Sequence, residues 1–166
     1  MDKIEFSKEK IEKENLIKIL EAGWLSPTAK NLQPQKIYVV ETNKSIEKLK
    51  KATNNLHEAN TVIIVCADRD EAYIDNHYTS YNSDAILVTL NMILEATRLG
   101  IDNMWIKNFN EDIIQKEFEI EEKVIPVSLI LLGYKTDDSI GFTAKDFNKE
   151  LPVSQRKKFD EIVKYL

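Results

Sequence analysis

Apolar positions divide the chain into runs with two different periods. Between Glu12 and Trp24, Leu16, Ile17, Ile19, Leu20 and Trp24 recur at helical spacing with Lys and Glu between them. That pattern predicts an amphipathic helix laid with one side on a core, and Gly23 and Pro27 are placed to help end it. Ile37–Val40 reads as a short strand, and residues 44–56 as a surface helix turning Ile46, Leu49 and Leu56 inward. Thr61–Ala67 is an unbroken apolar, β-branched run, the pattern of a central strand buried on both faces. Ser83–Gly100 is the longest apolar stretch with helical period. Apolar residues wrap most of its circumference, so it must be buried nearly all round, inside the chain or across a subunit interface. Gly100 fits its C-terminal cap. Ile101–Phe109 reads as strand and loop, and Glu111–Phe118 as a short amphipathic helix. Val124–Tyr134 reads as a second buried strand, with Pro126 near its start, where a missing N–H costs least. Ser154–Leu166 is a short helical run. With no repeat or linker, residues 1–166 read as a single domain, whose tail from 135 is long enough to wrap a neighbouring subunit.

Between the first helix and the first strand lies a polar loop, SPTAKNLQPQ. Ser26 and Thr28 offer hydroxyls, Asn31 and Gln33 offer amides, and Pro27 and Pro34 stiffen the backbone. That mixture of donors and acceptors suits a flat heteroaromatic ligand, although such residues are also common in plain connections. Other candidate chemistry is sparse. Asp68, Asp70 and Glu71 lack metal-ligand spacing and are mixed with Arg69. Cys66 sits inside the apolar run, as a small core residue does. His57 and His77 have no Ser, Cys or carboxylate at recognised spacing, which points to surface or interface roles. Tyr73, Tyr78 and Tyr81 suit a ligand-pocket wall or a subunit contact.

Composition narrows the classes. A hydrophobic fraction of 43% supports a real core, and only four Gly and four Pro argue against disorder. A net charge of −5 disfavours nucleic acid as a partner. No apolar run approaches a membrane span and no secretory signal is visible, so a cytoplasmic protein is expected. One cysteine excludes an internal disulfide.

The loop Ser26-Pro27-Thr28-Ala29-Lys30-Asn31-Leu32-Gln33-Pro34, set between helix and strand, resembles the signature of the nitroreductase family of flavoproteins. Further segments match in order: the helix Asp84 to Gly100, the stretch Gly100–Phe109, and Leu131-Leu132-Gly133-Tyr134. Near the C-terminus Gln155-Arg156-Lys157-Lys158 looks like the family's basic cluster. The resemblance implies a three-layer α/β/α sandwich of the α+β class, with a central mixed, mainly antiparallel sheet and a long buried dimer-core helix. It also implies a homodimer binding flavin mononucleotide (FMN) between its subunits. The cofactor-binding residues would be Pro27, Thr28, Ala29, Asn31, Gln33, Trp105, Ile106, Lys107, Asn108, Arg156 and Lys157. No catalytic side chain or metal is implied, because the flavin carries the chemistry.

One stretch departs from the family pattern. Members usually carry Arg-x-Ser-x-[Arg/Lys]-x-[Phe/Tyr] before the first helix. Phe6 matches the aromatic anchor, but Ile4 stands for the second basic residue and Asp2 for the serine. Each lost charge-assisted contact removes roughly 1.5–3 kcal/mol of phosphate binding, which Arg156 and Lys157 would partly offset. Two readings follow. The first is an NAD(P)H-dependent FMN oxidoreductase that reduces nitroaromatics, quinones or another small-molecule acceptor by ping-pong hydride transfer. The second is a non-enzymatic protein of the same fold that binds flavin or another small ligand.

Overall fold

A computed structural model of the chain describes residues 4–136 and 157–165. In chain order they form helix α1 (Lys13–Trp24), a 3-10 turn (Ala29–Asn31), β1 (Gln35–Val40), α2 (Asn43–Lys50) and β2 (Thr61–Asp68). A small hairpin, β3 (Ile74–Asp75) and β4 (Tyr78–Thr79), precedes α3 (Tyr81–Arg98). Then come β5 (Asp102–Ile106), α4 (Glu111–Phe118), β6 (Val124–Gly133) and α5 (Phe159–Ile162). The hairpin arises inside a polar, aromatic segment that shows no strand period.

The main sheet has the order β1-β2-β6-β5, and every pairing among the described residues is antiparallel. Strand β2 is buried along its whole length, as its unbroken apolar run predicts. Its side chains alternate between two cores. Val62, Ile64 and Cys66, with Leu129 and Leu131 of β6, meet α2 and α4 through Leu49 and Ile114. Ile63, Val65 and Ala67, with Ile130 and Leu132, meet α1 and α3 through Leu16, Ile19, Val88 and Met92. The result is the expected α/β/α sandwich. Cys66 is pure core, and burial pushes its thiol up to about 12.

Several local features depart from the periodicity. The second helix stops at Lys50 instead of running to residue 56, because Thr53 Oγ1 takes the Asn55 N–H at 3.2 Å and bends the chain into a turn. Leu56 still reaches the core from that turn. In α1, Leu16 and Ile19 are buried, but Ile17 and Trp24 face outward. Gly23 does not end α1. It lies within the helix, where an added Cβ would stand 2.8 Å from Met92 Sδ, so its small size lets α1 approach α3. At the other end of α3, Gly100 has φ +76° and the N–H of Ile101 returns to Ala96 O at 2.9 Å, which closes the helix as expected.

The N-terminal segment lies against the far end of β6. Ser7 N–H donates to Tyr134 O at 2.7 Å and Thr136 N–H to Glu5 O at 2.9 Å. Ile4 and Phe6 are both buried in the α2/α4 core. Position 4, where the family pattern carries a basic residue, therefore holds a core side chain here. His57 has a role within the single chain. It is half-buried and its Nδ1 lies 3.0 Å from Ile4 O, bracing the segment.

Candidate functional site

The loop after α1 is held in an uncommon shape. Lys30, Asn31 and Gln33 have φ of 49°, 57° and 54°, in the left-handed region where most side chains cost roughly 1–2 kcal/mol per residue. Internal bonds share that cost. Thr28 Oγ1 accepts the Gln33 N–H at 3.0 Å, Thr28 O accepts the Asn31 N–H at 2.9 Å, and Gln33 Nε2 turns back to Asn31 O at 3.1 Å. Contacts to the rest of the chain anchor it. Asn91 Nδ2 donates to Ser26 Oγ at 2.9 Å, and Ala29 N–H donates to Asp84 Oδ1 at 2.9 Å. The Lys30 ammonium lies 4.2 Å from the centre of the Tyr73 ring.

At its far end the loop joins the sheet through Pro34, whose carbonyl accepts the Asp68 N–H at 2.8 Å. Asp68 is buried, which by itself would raise its carboxyl. The N–H groups of Asp70 and Glu71 and the Lys123 ammonium at 3.2 Å outweigh that, and hold it below the usual carboxylate range. The acidic cluster at 68–71 thus closes a turn and carries Lys123 and Lys36 as ion-pair partners.

Of the five loop residues assigned to cofactor binding, three have their polar groups committed. The Ala29 N–H is held by Asp84, the Thr28 hydroxyl oxygen accepts the Gln33 N–H, and Gln33 Nε2 donates to Asn31 O. Pro27 presents an exposed ring, and the exposed Asn31 carboxamide makes no hydrogen bond among the described residues. Beside them, Gln35 Oε1 is buried without a partner.

The second assigned stretch lies at the end of β5. Trp105 Nε1 donates to Ser128 Oγ at 2.9 Å, and Ile106 is core. The register between β2 and β6 slips at Val65/Cys66, which leaves Val127 as an extra residue. Lys107 Nζ caps its carbonyl at 2.7 Å. The Asn108 carbonyl accepts from Thr53 Oγ1 at 2.9 Å. Ile106 alone of the four is buried; Trp105, Lys107 and Asn108 are exposed, and the N–H groups of Lys107 and Asn108 donate to nothing among the described residues. What this stretch offers a ligand is backbone.

The two stretches run toward the same end of the sheet: Ile106, in the row Tyr38–Ile64–Leu129–Ile106, closes β5, and the chain beyond it continues toward the row of Gln35 and Ala67. They lie on opposite edges, three strand spacings or roughly 14 Å apart. No hydrogen bond or ring contact joins them among the described residues. Lys157 is exposed and contacts neither, and Arg156 lies outside the described residues. Of the tyrosines, Tyr73 backs Lys30, Tyr78 on β4 bonds Ser83 in the first turn of α3, and Tyr81 packs on the α1/α3 core. Sequence reasoning passed over Asp84 and Asn91 as anchors. Their signal is two polar residues seven apart on an otherwise apolar helix, hence on one face.

Comparison with known proteins bears on this architecture directly. The profile of the nitroreductase family matches residues 2–56 and 47–134. An Archaeoglobus fulgidus protein, named provisionally as an NADH dehydrogenase/NAD(P)H nitroreductase, is 30% identical over 153 residues, 87% of each chain. A nitroreductase family protein of Clostridium difficile 630 superposes with a TM-score of 0.84 at 33% identity, over 97% of this chain and 90% of its own. An FMN-dependent nitroreductase of Clostridium difficile R20291 shares the fold, with a TM-score of 0.71 at 22% identity over 93% and 92% of the two chains. A sandwich of this topology, the loop between α1 and β1 and the profile match over most of the chain lead to one assignment: the chain belongs to the nitroreductase family of oxidoreductases.

Proposed function

We propose that the protein is a homodimeric, FMN-dependent NAD(P)H oxidoreductase that reduces a small-molecule acceptor such as a nitroaromatic or a quinone. The observation that carries this reading is the split site. The free Asn31 carboxamide and the free N–H groups of Lys107 and Asn108 lie on opposite edges of one sheet end. In a homodimer, one chain's set would meet the other set of its partner. The outer side of α3 suits that role. Leu87, Leu90 and Leu94 fall on one stripe, each 41–53% exposed in the single chain. Covering each would add about 1 kcal/mol, half the value of a full leucine burial.

The residues fit an isoalloxazine. Asn31 and the orphaned Gln35 Oε1 offer a donor–acceptor pair for the polar ring edge, and the Lys107–Asn108 backbone offers N–H groups to ring nitrogens. Trp105, Pro27 and Leu32 supply apolar cover. Flavin mononucleotide, when bound, supplies hydride transfer from a reduced nicotinamide and onward to the acceptor, in ping-pong order. The chain's own part is to bind, orient and shield. No acid–base pair is required of it.

One observation favours the second reading, a non-enzymatic flavin or small-ligand binder. Position 4 holds a buried Ile where a phosphate-binding cation would stand, which leaves that contact to Lys157 and Arg156. The visible spectrum of the purified protein separates the two. A yellow protein bleached by NADH or NADPH without oxygen supports the oxidoreductase. A colourless protein that takes up no added FMN rejects it.

A further inference from the structure

Two hydrogen bonds tie residues 26–33 to a distant element, and both end on α3. One runs from Ala29 N–H to Asp84 Oδ1 and the other from Asn91 Nδ2 to Ser26 Oγ, each 2.9 Å long. Asp84 is the unusual member. It is 2% exposed, and no Lys, Arg or His pairs with it among the described residues. A carboxyl group in such a place must have its oxygens bonded or it destabilises the fold. Here Oδ1 takes the loop and Oδ2 takes Ser80 Oγ at 2.7 Å. Ser80 Oγ in turn accepts the Tyr73 N–H at 3.0 Å. One carboxyl group therefore joins the loop to the base of the β3–β4 hairpin. An apolar residue there could make neither bond.

We propose that Asp84 is the positioning residue of the loop, fixing the Ala29 backbone so that the Asn31 carboxamide two residues later meets the flavin. Asn91 is the second tie, two helical turns further along the same face of α3. The proposal rests on the flavin reading above. It differs from a general stabilising role because only one arm of the carboxyl group reaches the loop. The other arm, through Ser80, serves the hairpin.

The test uses the full-length protein and three variants, with FMN titration, thermal unfolding and amide hydrogen exchange at Ala29. Asp84→Ala should weaken FMN binding by about tenfold or more, measured well below its melting temperature. Asp84→Asn keeps an oxygen facing Ala29 and should stay within about threefold of the parent. Ser80→Ala removes only the hairpin arm, so it should lower the melting temperature while FMN affinity holds. If Asp84→Ala does not fold, Asp84→Ser, too short to reach Ala29, takes its place. The proposal is overturned if the shortened variant binds FMN like the parent, or if Ser80→Ala loses as much affinity. Should the parent itself take up no FMN, the functional reading fails on its own. Ala29 exchange then still decides the positioning claim. Faster exchange in the Asp84 variant than in Ser80→Ala supports it, and equal exchange overturns it.

Discussion

The two helical layers flanking the sheet are finished in different ways. Over one face, α2 and α4 bury Leu49 and Ile114 and turn Lys, Glu and Asp outward, and neither has a large apolar residue among the exposed ones. Over the other, α1 and α3 bury Ile19 and Met92 but leave Trp24, Leu87, Leu90 and Leu94 in solvent. The first layer is complete within one chain. The second leaves these apolar side chains exposed in the single chain, and the loop assigned to the flavin is tied to that second layer.

The contrast can be broken from either side. The largest effect is expected at the closed face, where Leu129→Ala should cost roughly 2–5 kcal/mol in urea unfolding, whatever the association state. On the open face, Leu90→Glu combined with Leu94→Glu should change the stability of the isolated chain by less than about 1 kcal/mol. Sedimentation should nevertheless show a shift to single chains, with loss of bound flavin. A double variant that still sediments as a dimer would remove α3 from the interface. At the loop, Asn31→Ala should weaken FMN about tenfold, near 1.4 kcal/mol, while Asp70→Ala leaves it unchanged. Equal affinities in a titration would count against the loop as the site.

The smallest effect concerns the seam where the loop meets the sheet. Asp68 has a folded-state pKa below its unfolded value, because the Asp70 and Glu71 N–H groups and Lys123 overcome the effect of burial. Its contribution is therefore fully present above the unfolded carboxylate value of about 4 and fades as the pH falls through the lower folded value. Unfolding measured from pH 6 downward should show this loss in the parent and a flatter profile in Asp68→Asn.

Much of this architecture is legible in the chain. Strand β2 reads directly, because six apolar residues in a row, Val62–Ala67, four of them β-branched, have the pattern of a strand buried on both faces. Helix α3 reads as a helix, but periodicity alone cannot say that Leu87, Leu90 and Leu94 stay outside a single chain. Trp24 misleads for the same reason, since a side chain's period is local and its burial is not. Ile4 stands where the family pattern has a cation, although its alternation with Phe6 marks it as core. The loop was legible as a list of donors. Which donors remain free was not, because Ala29 is engaged by Asp84 from 55 positions away.

The backbone twist of the loop also limits how this region can change over time. Positions 30, 31 and 33 accept Gly, Asn or Asp readily and branched residues poorly. Substitutions there are filtered by conformation before chemistry is tested. The neighbouring β3–β4 hairpin, with its outward Ile74 and Tyr78, carries no such restriction. Sequence change should therefore accumulate faster in the hairpin than in the loop it stands beside.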